Sequence, residues 1–332
     1  MLMVRCLPSG GMESLAWIPT APPTLAALLA PTLQPVPVIP VIALLLAAAY
    51  VTGWLRIRLQ RRPWPMWRGV LFLTGCVLLA VTMGAGIEGY GFVLFSAFMF
   101  QQLTLMMTVP LLLVLGAPGT LLLRATPHRG PGRLVLQSAM FGLRSRIGRF
   151  LLHPGFMIPL FLITFYGLYL TSAADALLQT WAGHVGLELA FLAAGVLFTA
   201  PLIPTDPLPR RQGHLGRLLD AFLEMPLHAF FGVILMMATV PLVPAFTDIP
   251  AAWGITAVGD QAFAGGLAWS YGEAPSLALV LILMTSWFRH ESRKSRERDR
   301  AIDRDGDPDL DAYNAHLARL QGRTIPPHEQ HG

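Results

Sequence analysis

Residues 91–115 read GFVLFSAFMFQQLTLMMTVPLLLVL, a run of 25 without a charged side chain. At 1.5 Å per residue a helix of that length more than crosses a hydrocarbon core of about 30 Å. Similar runs lie at 36–55, 69–87, 155–172, 183–203, 226–244 and 257–287, in a chain that is 54% hydrophobic and 13% charged. These runs predict an all-α, polytopic membrane helix bundle with about seven transmembrane helices, a multi-pass protein of the cell membrane.

The charges orient it. Of 24 Lys and Arg, 23 fall in four connections, with five at 56–68, six at 124–149, three at 210–217 and nine at 289–323; Arg5 stands apart. The alternate connections 88–90, 173–182 and 245–256 carry none. The positive-inside rule then places the N-terminus outside and the C-terminus inside. The pI near 9.7 is thus a matter of topology. No aromatics interleave with the bases as in a nucleic-acid groove, so the bilayer is the expected partner and nucleic acid is not.

Three regions follow: a Pro-rich outward lead-in at 1–35, the seven-helix domain at 36–288 and a charged cytoplasmic tail at 289–332. Pro19, Pro22, Pro23 and Pro31 break the lead-in too often for a spanning helix, and Met12 offers an alternative start to Met1. In the tail, Asp303, Asp305, Asp307, Asp309 and Asp311 lack the Gly and Glu spacing of a calcium loop. They read as a solvated break, with Asp307 as N-cap and Pro308 at N1 of a short amphipathic cytoplasmic helix bearing Leu310, Tyr313, Leu317 and Leu320 on one stripe.

Cys6 and Cys76 are the two cysteines, too few for a thiolate metal cage. No P-loop, dinucleotide fingerprint, GxSxG or HExxH occurs, so no enzyme is expected. Polar groups within spans are costly and are therefore site hypotheses. His184 and Glu188 share a helical face; Asp260 and Gln261 open the seventh span, and Gln101 and Gln102 sit in the third. They could ligate a cation or relay protons, or serve as interhelical hydrogen-bond glue. Glu273 stands before Pro275, where a kink is expected; His153 and His228 suit capping or interfacial roles. Met99, Met106, Met107, Met236 and Met237 read as packing or as soft thioether ligands.

From Trp67 to Leu320 further stretches carry a resemblance: PLLLVLGAP at 110–118 with Thr120 and Arg124, His153-Pro154, Asp206-Pro207 with Pro209-Arg210-Arg211, MPLHAFFG at 225–232, Asp260-Gln261 with Gly265-Gly266 and Trp269, GEAP at 272–275, and Asp299-Arg300, Asp303 to Asp307 and Tyr313-Asn314 in the tail. Together these resemble the CtaG-type membrane cytochrome c oxidase assembly proteins associated with caa-type oxidases, in the actinobacterial form often fused to a copper-resistance CopD domain. The resemblance implies a membrane assembly factor for a haem-copper oxidase, linked to copper-centre maturation. It implies oxidase subunits and a copper-handling protein as partners.

Where the family pattern reads His-Met-x-Gln-His, this chain has Phe98-Met99-Phe100-Gln101-Gln102. Of three histidines in the fifth span His184 remains, with Trp181 and Ala190 at the other positions. The metal ligands are thus expected to be degenerate or rebuilt as His184, Glu188, Asp260 and Met99. Copper is the expected cofactor if there is one, and none the alternative. The remaining polar bundle site comprises Gln101, Gln102, Gln261, Glu273, His228 and His153. The alternatives to an assembly factor are a copper transport or tolerance protein and a ligand-free membrane scaffold.

Overall fold

The computed structural model describes residues 15–320 apart from His128, Pro204, 209–211 and Asp307. Met12 as a start, Cys6, and Asp307 as a cap lie outside the described residues. The elements are α1 (Leu25–Leu29), α2 (Val38–Leu59), α3 (Met66–Thr82), α4 (Gly86–Gly91), α5 (Phe95–Leu103), a π turn (Thr104–Thr108), α6 (Val109–Leu115) and α7 (Pro118–Ala125). They continue as α8 (Pro131–Arg144), α9 (Arg146–Leu151), α10 (Pro154–Leu162), a second π turn (Ile163–Gly167), α11 (Ala173–Leu178), α12 (Trp181–Leu202), α13 (His214–Met237), α14 (Ala257–Asp305) and α15 (Pro308–Leu320). Among the described residues there is no strand. The chain divides into two compact units, 1–283 and 284–332.

Among the described residues five helical runs are long and apolar enough to cross a membrane: Val38–Leu59, Phe95–Ala125, Trp181–Leu202, His214–Met237 and Ala257–Arg304. Two shorter apolar helices accompany them, Met66–Thr82 and Gly155–Gly167. Their outward surfaces are oily, as a bilayer requires: Leu44, Leu45, Val77, Phe230 and Phe263 are all exposed. The interior is aromatic and close-packed. Phe95, Phe98, Phe165, Tyr169, Phe191 and Phe231 are each at most 1% exposed and meet at ring separations of 5.2–5.9 Å. Lipid tails are as apolar as these rings, so contact density and not water exclusion is what favours the bundle.

Close approach is built with glycine at two crossings. A Cβ on Gly195 of α12 would stand 2.2 Å from the Met106 carbonyl oxygen in the first π turn, and one on Gly265 of α14 would stand 2.5 Å from the Gly232 oxygen of α13. The backbones therefore touch, as small residues permit in membrane bundles. Pro110 cannot donate to a carbonyl one turn back, and the chain accommodates it with the π turn just upstream. Thr104 and Thr108 pin that turn to α14 through the Tyr271 hydroxyl, 3.1 Å from each.

Two of the stretches that carry the resemblance prove structural. The Asp206 carboxylate accepts from Gly119 N (2.9 Å), Thr120 N (2.6 Å) and Thr120 Oγ1 (2.7 Å), so it caps α7 from a distant connection. His153 is exposed and caps α10, its Nδ1 accepting from Gly155 N at 2.9 Å. It is not part of the bundle interior.

The sixth helix departs from expectation. The Pro226 start is overturned: α13 begins at His214, keeps Pro226 inside it and ends at Met237, and residues 238–243 are not helical. An amphipathic stretch with Arg217, Ala221 and Glu224 buried extends the helix before the proline, and apolar-run length alone could not register it. The lead-in packs back onto the α3–α5 connection. Gln34 exchanges hydrogen bonds with the Trp17 backbone, Tyr90 Oη donates to Ala21 O at 3.0 Å, and the Trp17 ring covers Gly89. In the second unit α15 leaves Leu310, Tyr313 and Leu320 exposed, and Gly306 at φ +81° ends the helix before it.

Candidate metal centre

The α12 helix starts at the Thr180 N-cap, whose side chain accepts from Gly183 N, and its first two turns carry His184 and Glu188 four residues apart on one inward face. Their side chains are 1% exposed each, with His184 Nε2 3.1 Å from Glu188 Oε1. No hydrogen bond joins the two atoms, and neither has another partner. Glu88, on α4, supplies a third group. One ligand atom from each of Glu88, His184 and Glu188 falls within 4.8 Å of the other two, and all three residues are buried. Burial, and next the neighbouring Glu188 carboxylate, push the Glu88 carboxyl well above its ordinary pKa.

Two shells hold the trio. Gln101 Nε2 donates a short hydrogen bond to Glu88 Oε2 and lies 3.9 Å from Met83 Sδ, while Gln101 Oε1 is buried and unpartnered. Gly91 leaves room for that amide, since a Cβ there would stand 2.1 Å from Oε1. The His184 ring is fixed by Phe92, stacked at 3.8 Å and 13°, and by Phe98 at 5.0 Å. A cavity of about 10 Å³, roughly one water in size, adjoins Glu88, Glu188, Gln34 and Met83.

The other sequence candidates disperse. Asp260 is occupied at the start of α5, accepting from Ser96 N (3.3 Å) and, in a short bond, from Ser96 Oγ. Met99 packs in the apolar core. Neither is in the trio. Gln102 accepts from Tyr169 Oη in a short bond and donates to Thr164 O at 3.2 Å in the second π turn. Gln261 accepts from Leu242 N (2.7 Å) and donates to Val240 O (3.2 Å), so it ties down the end of α13. His228 is fully buried with Nδ1 3.0 Å from Glu224 O; its Nε2 is 3.9 Å from Glu273, a half-exposed side chain. Glu224 and Ser276 border a separate cavity of about 10 Å³.

Glu88 was missed because it stands in a short connection outside any apolar run. Its signal was a lone carboxylate among Gly86, Gly89 and Gly91 in a connection with no Lys or Arg to pair with it.

Apolar helices around an enclosed imidazole–carboxylate group define a multi-pass helical membrane protein with a polar site inside the bundle. The model of the cytochrome c oxidase caa3 assembly factor family (Caa3_CtaG) matches residues 48–290. The chain belongs to that family. Proteins described as uncharacterized in Mycobacterium bovis and Mycobacterium tuberculosis are each 38% identical over 279 residues, 83% of this chain and 42% of theirs. One in Mycobacterium leprae is 37% identical over 282 residues, 84% of this chain and 43% of its own. The chain thus spans about two fifths of the length of these relatives. No solved structure matches it.

Proposed function

We propose that the protein assists biogenesis of a haem-copper cytochrome c oxidase in the cell membrane, at the step that matures a copper centre, with oxidase subunits and a copper-handling protein as partners. It acts as a non-enzymatic factor, and Glu88, His184 and Glu188 handle the ion. The observation that carries the reading is the family match across most of the bundle, from 48 to 290. The buried trio supports the metal-handling part, because His184 Nε2 and Glu188 Oε1 face one another without a hydrogen-bond partner, which is costly unless something joins them.

Deleting the gene in its host is expected to lower the haem–copper spectrum and oxidase activity of isolated membranes, with restoration by the intact gene. Membranes with a full complement of active oxidase would overturn the reading.

The same reading has five long and two shorter apolar helices spanning as seven, N-terminus outside and C-terminus inside, because 23 of 24 basic residues then lie in the cytoplasm. Reporter fusions should give an extracytoplasmic signal at Asp175 and a cytoplasmic one after Gly332. The reverse pair of signals would invert the arrangement.

A further inference from the structure

The donor set decides which ions the trio suits. It offers one imidazole nitrogen and two carboxylate oxygens, while the Gln101 amide turns its nitrogen to Glu88 and its oxygen toward Gly91. Cuprous copper favours thiolate and thioether sulfur, whereas imidazole with carboxylates suits divalent first-row ions. The thioether of Met83 faces the Gln101 amide, and Met99 is packed in the core. Cys76 is buried in α3 within that same apolar core.

Spacing agrees with coordination. Ligands about 2.0–2.2 Å from a shared ion stand roughly 3–3.5 Å apart when adjacent, and His184 Nε2 to Glu188 Oε1 is 3.1 Å. The Glu88 ligand atom lies within 4.8 Å of both and would close on a shared ion by a small side-chain movement. A divalent ion seated among them would join the two carboxylates to the imidazole. The adjoining cavity has room for one water as a further ligand.

Resting on the reading of the trio as the metal-handling site, we infer that Glu88, His184 and Glu188 form a site for a divalent transition-metal ion bound through nitrogen and oxygen, selecting cupric or zinc ions over cuprous ones. Gln101 acts as a positioning residue, orienting Glu88 through the amide bond as outer-shell groups orient ligands elsewhere. The α4 helix is then an essential part of the site, since α12 alone supplies two ligands.

The test uses the full chain purified in detergent. Equilibrium dialysis against Cu²⁺ and Zn²⁺ should give one ion per chain, and the Cu²⁺ form should show a paramagnetic resonance spectrum with coupling to a single imidazole nitrogen. Glu88→Gln and Glu188→Gln, near-isosteric changes, should each weaken binding by at least about 10- to 100-fold, the range that loss of even an outer-shell partner produces. Asp260→Asn should leave affinity unchanged. Cu⁺, delivered under reducing conditions against a competing chelator, should bind more weakly than Cu²⁺.

Tighter binding of Cu⁺ would overturn the ion class while leaving the trio as a metal site. A Cu²⁺ spectrum without one-nitrogen coupling, or no ion bound to the intact chain, would overturn the site itself. In both cases the oxidase deletion phenotype stands or falls separately. The spectrum of the unmodified chain keeps the inference testable should a Glu→Gln variant fail to fold.

Discussion

Phe98→His raises Cu²⁺ affinity at least about tenfold, equivalent to about 1.4 kcal/mol. Phe98 is fully buried with its ring 5.0 Å from that of His184, so an imidazole in its place reaches the same enclosure and adds a second nitrogen donor. Without metal the substitution leaves a buried ring nitrogen unpaired, at a cost of about 1–3 kcal/mol. The apo variant should therefore melt below the parent and gain more from added Cu²⁺ than the parent does. Gln102→His, one turn further on, should not share in the gain. The Gln102 side chain is already engaged by Tyr169 and the Thr164 carbonyl, and its loss strands both. Dialysis and detergent melting curves on the two variants read the contrast. Unchanged Cu²⁺ affinity in Phe98→His would mean that position 98 does not reach the trio.

The largest effect on stability is expected at Gly195. Its Cβ direction points at the Met106 carbonyl oxygen, 2.2 Å away, with Pro110 Cγ at 2.6 Å. Both obstacles belong to main chain or a rigid ring, so no rotamer change relieves the clash. Gly195→Val must push α12 off the π turn and open the aromatic core around Phe191, costing about 1–3 kcal/mol or more. Gly186, on the same helix, is the control, because a Cβ there meets nothing within 4 Å. Gly186→Ala should be neutral, or stabilising by up to about 1 kcal/mol from helix propensity. Size-exclusion profiles and melting in detergent separate the two. A well-folded Gly195→Val protein would show that the crossing is looser than described.

What the sequence made legible follows from what each signal measures. Apolar run length reports segments that must leave water, and it located the apolar part of every long helix but missed the charged continuation of α14 to Asp305 and the start of α13. There the helix continues before Pro226 through a stretch in which Leu218 and Ala221 alternate with Arg217, Asp220 and Glu224, so it registers as polar. The four-residue spacing of His184 and Glu188 is intrinsic to the helix, and it placed two members of the trio together. Glu88 comes from another element, and chain-distant convergence leaves no periodicity. Asp260 illustrates the converse: a carboxylate opening a helix looks available, yet it caps a neighbouring one through Ser96. The Asp206 cap on α7 was likewise invisible, although both halves stood among the stretches that carried the family resemblance.

The π turn at Thr104–Thr108 sets a phase. Each residue of an α-helix advances the chain by about 100°. Phe98 and Gln101, before the turn, are aimed at the His184 and Glu88 side chains; Met106 and Pro110, in or after it, are aimed at Gly195. The two aims are compatible only because the widened turn holds one residue more than a regular helix would. Deleting a single residue within it would let the backbone relax to an uninterrupted helix and swing one set of contacts about 100° away from the other. The segment therefore works as a vernier between the end of the bundle that holds the buried trio and its glycine crossing, and it is residue count there, more than residue type, that keeps the two aims in phase.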